Sequence, residues 1–274
     1  MLTNYHTHHD RCRHAIGTVE DYVREACRLG YAEIGMSCHV PFEKLDWLQG
    51  TRMYFHELDL YFADIQQAKE DFPQISILKS LECEYFPEVH DYLEKLYHET
   101  DYLVLGQHYI QIGGKIKDAF HFTKPKQLLV YAEYVERALE TGFFKVLAHP
   151  DVFMCLYPAW DDTCAEVSRR LIRAAISAGA YLEVNANGFR RGLKTYKDGT
   201  RYPYPSENFW RIVSEEFGEA PVLINSDCHE PGFLNDEYVA QAREFARKLR
   251  LNVVTDRAFQ TSKKQGTVLS QKGV

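Results

Sequence analysis

The first fifteen residues, MLTNYHTHHDRCRHA, place His6, His8, His9, Asp10, Cys12 and His14 directly behind a short apolar start. Imidazole nitrogens and carboxylate oxygens are the usual ligands of zinc, iron and manganese. In His6-Thr7-His8 the histidines stand at i and i+2, so on an extended strand both point to one face and can share an ion. Comparable side chains recur where later apolar runs end: His39 in SCHVP, Glu82 and Glu84 in LECEY, His108 in GQHY, His149 and Asp151 in AHPD, Asp227 and His229 in SDCH. Six of the 12 histidines sit at such ends, and His14 follows in the first loop. One strand-end histidine is more often a structural hydrogen-bonding residue than a ligand. Seven of them with two acids, Glu82 and Asp227, read together as a metal centre. A tetrahedral zinc takes four ligands, three when catalytic, so this set implies two or three divalent ions, three being the better fit. His9 and Asp10 stay outside it, because His9 faces away if the strand continues. His56, His90, His98 and His121 fall in helices or loops and read as solvated or packed.

The apolar runs that must position these groups are MLTNY, AEIGMS, ISILKSLE, YLVLGQ, KVLA, AYLEVN and PVLINS. They predict seven strands. Between them lie stretches of helical periodicity, over about 18–29, 54–71, 88–99, 126–141, 164–178, 206–217 and 236–250. In the first, Thr18 is a plausible N-cap with Asp21 three positions on, and Gly30 suits the exit. Strand and helix alternate throughout, which argues for parallel strands with crossover helices, closing most economically into a barrel. An open doubly wound sheet is the alternative. In either fold, chemistry gathers at the carboxyl ends of the strands, where the histidines and acids stand.

The 274 residues with 45% hydrophobic content suit one domain over residues 1–258, since α/β barrels run as single domains at this size. The polar segment 259–274 reads as a tail. No apolar run approaches the ~20 residues that cross a bilayer, and the N-terminus lacks a signal-peptide pattern. Seven cysteines, odd in number and without CxxC spacing, fit reduced thiols and a cytoplasmic location. A net charge of −7 disfavours nucleic acid as a partner. Oligomeric state has no signature.

The ordered blocks HTHHDRCRHA, LECEY, GQHY, AHPD and SDCH resemble those of the polymerase and histidinol phosphatase (PHP) superfamily of metal-dependent phosphoesterases. The resemblance covers nearly the whole chain. It implies a distorted seven-stranded (β/α)7 TIM-like barrel holding a trinuclear site. It assigns His6, His8, Glu82 and Asp227 to one ion, Glu82 as a bridge with His108 and His149 to a second, and His14, His39 and His229 to a third. VNANGFRR followed by YPYP further resembles the stand-alone histidinol-phosphate phosphatases. That resemblance implies hydrolysis of L-histidinol phosphate to L-histidinol and phosphate. One departure is Ser37-Cys38-His39, where the second block usually reads Thr-Asp-His.

A phosphate monoester is close to dianionic at neutral pH, and bound divalent ions would meet that charge and lower the pKa of water towards ~7. A metal-bridging hydroxide is the expected nucleophile. The sequence names no protein acid for the leaving alcohol. Among cationic side chains, Arg190 is the first choice for the phosphate and Arg191 the second, because both follow a strand end and a guanidinium fork grips phosphate bidentately. Arg52 is a weaker third; Lys194 and Lys197 read as loop surface. Glu84 would meet the substrate's amino or imidazole group, or stand behind a ligand. Cys83 and Cys228 alternate away from their neighbours and read as packing. Other readings are a phosphatase or nuclease of the same superfamily acting on another ester, and a non-catalytic metal-binding module.

Overall fold

The computed structural model describes residues 1–45 and 50–259. The first half runs β1 (Leu2–Asn4), α1 (Val19–Leu29), β2 (Tyr31–Met36), α2 (Leu58–Asp71), β3 (Ser76–Lys79), β4 (Glu82–Cys83), α3 (His90–Glu99) and β5 (Leu103–Leu105). A hairpin of β6 (Tyr109–Ile112) and β7 (Lys115–Asp118) follows, then α4 (Pro125–Glu140), β8 (Phe144–Leu147), α5 (Asp162–Ser177) and β9 (Tyr181–Asn185). The chain continues through α6 (Ala186–Arg190), a second hairpin of β10 (Lys194–Tyr196) and β11 (Gly199–Arg201), α7 (Glu207–Glu216), β12 (Val222–Asn225) and α8 (Glu237–Lys248). Among the described residues no helix is long and apolar enough to cross a membrane.

Every predicted run forms a strand, and one splits in two. After β3 the chain changes partners: Ser80 N–H still donates to Met36 O at 2.8 Å, whereas Val104 N–H donates to Leu81 O at 3.0 Å. The break therefore moves the strand from the side of β2 to the side of β5 and aims Glu82 inward. α1 begins as expected, with Thr18 and Asp21 forming a reciprocal capping box and Gly30 closing the helix at φ 76°. It buries Val19, Tyr22, Val23 and Ala26 against the core.

The strands form a parallel three-stranded sheet, β1-β2-β3, and a parallel five-stranded sheet in the order β12-β9-β8-β5-β4. One continuous seven-stranded ladder is not what pairs. At their carboxyl ends the sheets meet through the isolated bridges Thr7–Cys228 and His39–Glu82. Side chains take over along the β1–β12 seam: Asn225 Oδ1 accepts from Tyr5 N–H at 2.9 Å, and Asn4 Oδ1 from Ser226 N–H at 2.7 Å. The two hairpins, which strand-and-helix alternation did not predict, rise from the same ends as the ligands. Gly113-Gly114, both at positive φ (57° and 72°), make the first turn.

Tyr5, Leu78, Tyr102, Val104, Val146 and Leu223 form a small apolar cluster of their own. Phe259 stacks on Tyr102 at 4.4 Å and meets Tyr5 edge-on, at the start of the expected tail. The remainder of the expected tail, 260–274, lies outside the described residues.

Candidate metal centre

All nine ligand-type residues predicted from the sequence converge on one pocket at the carboxyl ends of the strands. His6 and His8 follow β1 in extended chain, and their Nε2 atoms lie 3.2 Å apart. His8 Nε2 stands 3.0 Å from Asp227 Oδ1 and 3.5 Å from Glu82 Oε2. Glu82, 1% exposed, occupies the middle. Its Oε1 faces His149 Nε2 at 3.0 Å and His108 Nε2 at 3.3 Å, while Oε2 faces His39 Nδ1 at 2.9 Å and His6 Nε2 at 3.4 Å. His14 and His229 meet at the rim, Nε2 to Nε2, at 3.0 Å. Potential ligand atoms fall within 4.8 Å of one another in three overlapping groups: His6, His8 and Asp227; His39, Glu82 and His108; His8, His39 and His229.

These residues fit divalent cations. His39 Nδ1 and Glu82 Oε2 approach to 2.9 Å, yet neither makes a hydrogen bond, and a buried polar atom without a partner is costly. His8 Nδ1 and His149 Nδ1 are likewise buried and unpaired. Against the cost of burial, His108, His6 and His39 hold the Glu82 carboxyl well below its ordinary range, and His6 and His8 do the same for Asp227. Burial and the neighbouring His8 push His39 down to about 4 and His229 down to about 3. Ionised carboxylates and neutral imidazoles are the ligand forms of these side chains. His6 moves the other way: burial opposes it, but Glu183, Asp227 and Glu82 raise it well above its usual value. Three converging carboxylates thus draw positive charge into the pocket.

Behind the ligands stands a second layer that the sequence reading largely missed. Glu183, in the middle of β9, accepts from His6 Nδ1 at 2.8 Å and from His149 N–H at 2.9 Å. Asn185 and Asn225 each donate to Glu183 at 2.8 Å, and Asn185 also donates to Asp227 at 3.1 Å. The one signal for Glu183 was a carboxylate inside an otherwise apolar strand, AYLEVN. Glu84 stands behind a ligand: it accepts from His108 Nδ1 at 2.9 Å and pairs with the buried Arg52 guanidinium at 2.9 and 3.0 Å. Burial opposes ionisation, but Arg52 and His108 hold the Glu84 carboxyl at about 2.

Backbone geometry contributes as well. His149 and Asp227 carry φ of 29° and 45°, the left-handed region that non-glycine residues rarely adopt. Strain of this kind gathers at functional sites, held by the surrounding fold. Gly106 has a steric reason: a Cβ there would lie 2.0 Å from Glu82 Oε1.

The pocket encloses about 330 Å³ and admits His14, His39, Glu82, His108, His149, Asp227 and His229 to its wall, together with Arg191, and with Phe120 and Tyr204 beside His108 and His149. The two arginines lie in different surroundings. Arg190 is not part of the lining: its Nε and Nη2 donate to Asp236 at 2.8 and 3.0 Å, and its Nη1 to Ser226 O at 2.5 Å. Arg191 lines the pocket, stacks over Phe120 at 4.6 Å and donates to Tyr204 Oη at 3.1 Å. Asp151, beside His149 in sequence, stays out of the ligand set and accepts from Ser206 N–H and Trp210 Nε1. Cys83 and Cys228 are buried.

Comparison with known proteins agrees with this geometry. Residues 4–187 match the model of the PHP domain family. A protein of Deinococcus radiodurans named "Probable histidinol-phosphatase" is 25% identical over 255 residues, 89% of this chain and 92% of that one. A Schizosaccharomyces pombe protein of the same name is 26% identical over 259 residues, 84% of this chain and 81% of its own. The fold resembles that of Lactococcus lactis histidinol phosphate phosphatase, crystallised with zinc, L-histidinol and phosphate. The TM-score is 0.68 at 18% identity, covering 92% of this chain and 95% of that one.

Proposed function

The chain belongs to the PHP domain family, and from that premise we propose that it is a metal-dependent phosphomonoesterase that hydrolyses L-histidinol phosphate to L-histidinol and phosphate. The observation that carries the reading is Glu82, whose two oxygens face five imidazoles from four separate segments. The names of the relatives from D. radiodurans and S. pombe support the substrate, as do the ligands of the L. lactis structure.

We read the centre as trinuclear, for zinc, iron or manganese. His6, His8 and Asp227 with Glu82 form one position, Glu82 with His108 and His149 a second, and His14, His39 and His229 a third. Bound ions supply positive charge for the phosphoryl oxygens and lower the pKa of water towards ~7. The protein's own share is orientation. Glu183 and Glu84 fix the tautomers of His6 and His108 by accepting their Nδ1 protons. Arg191, braced by Phe120 and Tyr204, offers its guanidinium to the phosphate from the pocket lining. Phe120 and Tyr204 pack against His108 and His149 and present apolar ring surface to the pocket beside them.

The seven parallel strand positions form, in this reading, a distorted TIM-like barrel over residues 1–258, which would act in the cytoplasm, where thiols such as these seven free cysteines persist. The test is an assay of purified protein with manganese, zinc or iron against histidinol phosphate, other phosphomonoesters and a single-stranded oligonucleotide. Preference for histidinol phosphate by about a hundredfold in kcat/KM is expected, the scale of discrimination that pocket contacts provide. Equal slow rates on every monoester would overturn the substrate. Release of nucleotides would replace it with a nuclease.

A further inference from the structure

We propose that Cys12 and Cys38, together with His8, form a thiol-lined annex of the metal centre that takes a thiophilic divalent cation. Cys12 closes a 3-10 turn, Asp10–Cys12, in the first loop; Cys38 follows β2. All three side chains are fully buried, and one potential ligand atom from each lies within 4.8 Å of the other two. A tetrahedral ion with metal–sulfur bonds of about 2.3 Å and metal–nitrogen bonds of about 2.0–2.1 Å needs only a modest inward movement from that spacing.

Three further observations point to a cation. His8 uses Nε2 towards Asp227 at 3.0 Å, whereas its Nδ1 is buried and makes no hydrogen bond. Such an edge is normally satisfied by a carboxylate or carbonyl, as His6 is by Glu183. The Cys38 sulfur stands beside the Cys12 thiol and 4.0 Å from His9 O. Cys12 also falls into a second group within 4.8 Å, with His14 and His229, so its sulfur adjoins the rim of the centre. Thiolate is a soft ligand, and its presence would shift the preference of this corner from manganese towards zinc, cobalt or cadmium. Each thiol gives up its proton to solvent as the ion binds, adding negative charge beside a centre whose facing carboxylates are few.

The test uses the full chain, purified under reducing conditions, stripped of metal and titrated with Co2+ without oxygen. A sulfur-to-cobalt charge-transfer band in the near ultraviolet is expected. Cys12→Ser and Cys38→Ser should each remove or sharply weaken it, and Cys164→Ser, a buried thiol in α5, should retain it. Should either of the first two variants fail to fold by circular dichroism, the unmodified chain decides: bound Cd2+ must protect two cysteines, identified by peptide mapping as Cys12 and Cys38, from alkylation. A cobalt-loaded protein without the sulfur band, or cysteines alkylated equally with and without Cd2+, would overturn the proposal. Neither readout involves turnover, so failure here leaves the phosphatase reading intact.

Discussion

Glu183 touches no pocket surface, yet it holds His6 by the nitrogen that does not face the other ligands. Removing its charge should loosen that ring. Glu183→Gln is expected to lower metal affinity on the order of 10–100-fold, the usual cost of losing such a partner, in titrations against a competing chelator. Its turnover should recover with excess metal; unchanged affinity would show that His6 is oriented by packing alone. The two arginines make a paired prediction. Arg191→Ala should raise KM by about tenfold or more, through loss of a bidentate phosphate contact, with the fold intact. Arg190→Ala should leave KM close to the parent value and lower stability by about 1–3 kcal/mol in denaturant, because Asp236, the N-cap of α8, loses its half-buried, charge-assisted partner. The reverse pattern would restore Arg190 to the substrate.

At the scale of elements, the site depends on how closely segments approach. β5 runs into Gly106, and the absent Cβ is the space that the Glu82 carboxylate fills. Gly106→Ala should therefore displace Glu82 and abolish measurable turnover while leaving helical circular dichroism unchanged; a variant with parental kinetics would mean that the strand yields instead. Asp151 does comparable work behind the β8 end, joining that loop to Ser206 and Trp210 at the start of α7. Burial raises its carboxyl to about 7. Asp151→Ala would strand two buried N–H groups, at a cost of about 1–3 kcal/mol, read as a lower denaturant midpoint at unchanged slope.

For the whole molecule, the candidate ligands span almost the entire chain, from His6 to His229, so an ion bound by them would couple metal binding to folding. Two isolated bridges join the two sheets at the same end as these residues, and an ion shared between His6, Glu82 and Asp227 would tie the sheets together there. At a free metal concentration a hundred times its dissociation constant, a ligand of the native state adds about 2.7 kcal/mol. In a chain of this size that corresponds to a rise of roughly 5–10 °C in Tm. Calorimetry of chelated and reloaded protein measures it, and equal midpoints would mean that the sheets close without the ions.

The candidate set was readable because strand alternation and strand-end placement are local properties: His6 and His8 share a face by spacing alone, and His39, Glu82, His108, His149 and Asp227 each follow a recognisable apolar run. Cys12 and Cys38 were visible in the sequence too, but not their proximity. What only the tertiary structure decided were pairings across long separations. Glu183 stands behind His6 although 177 residues divide them, and Arg52 meets Glu84 from a loop whose course no periodicity describes. Adjacent arginines received opposite fates, since the short helix α6 turns Arg190 towards α8 and leaves Arg191 at the pocket. Backbone pattern fixes which face a side chain takes within its own strand; which distant group meets it there depends on how two sheets and their crossovers pack, and a single chain of letters carries that only through the energy of the folded whole.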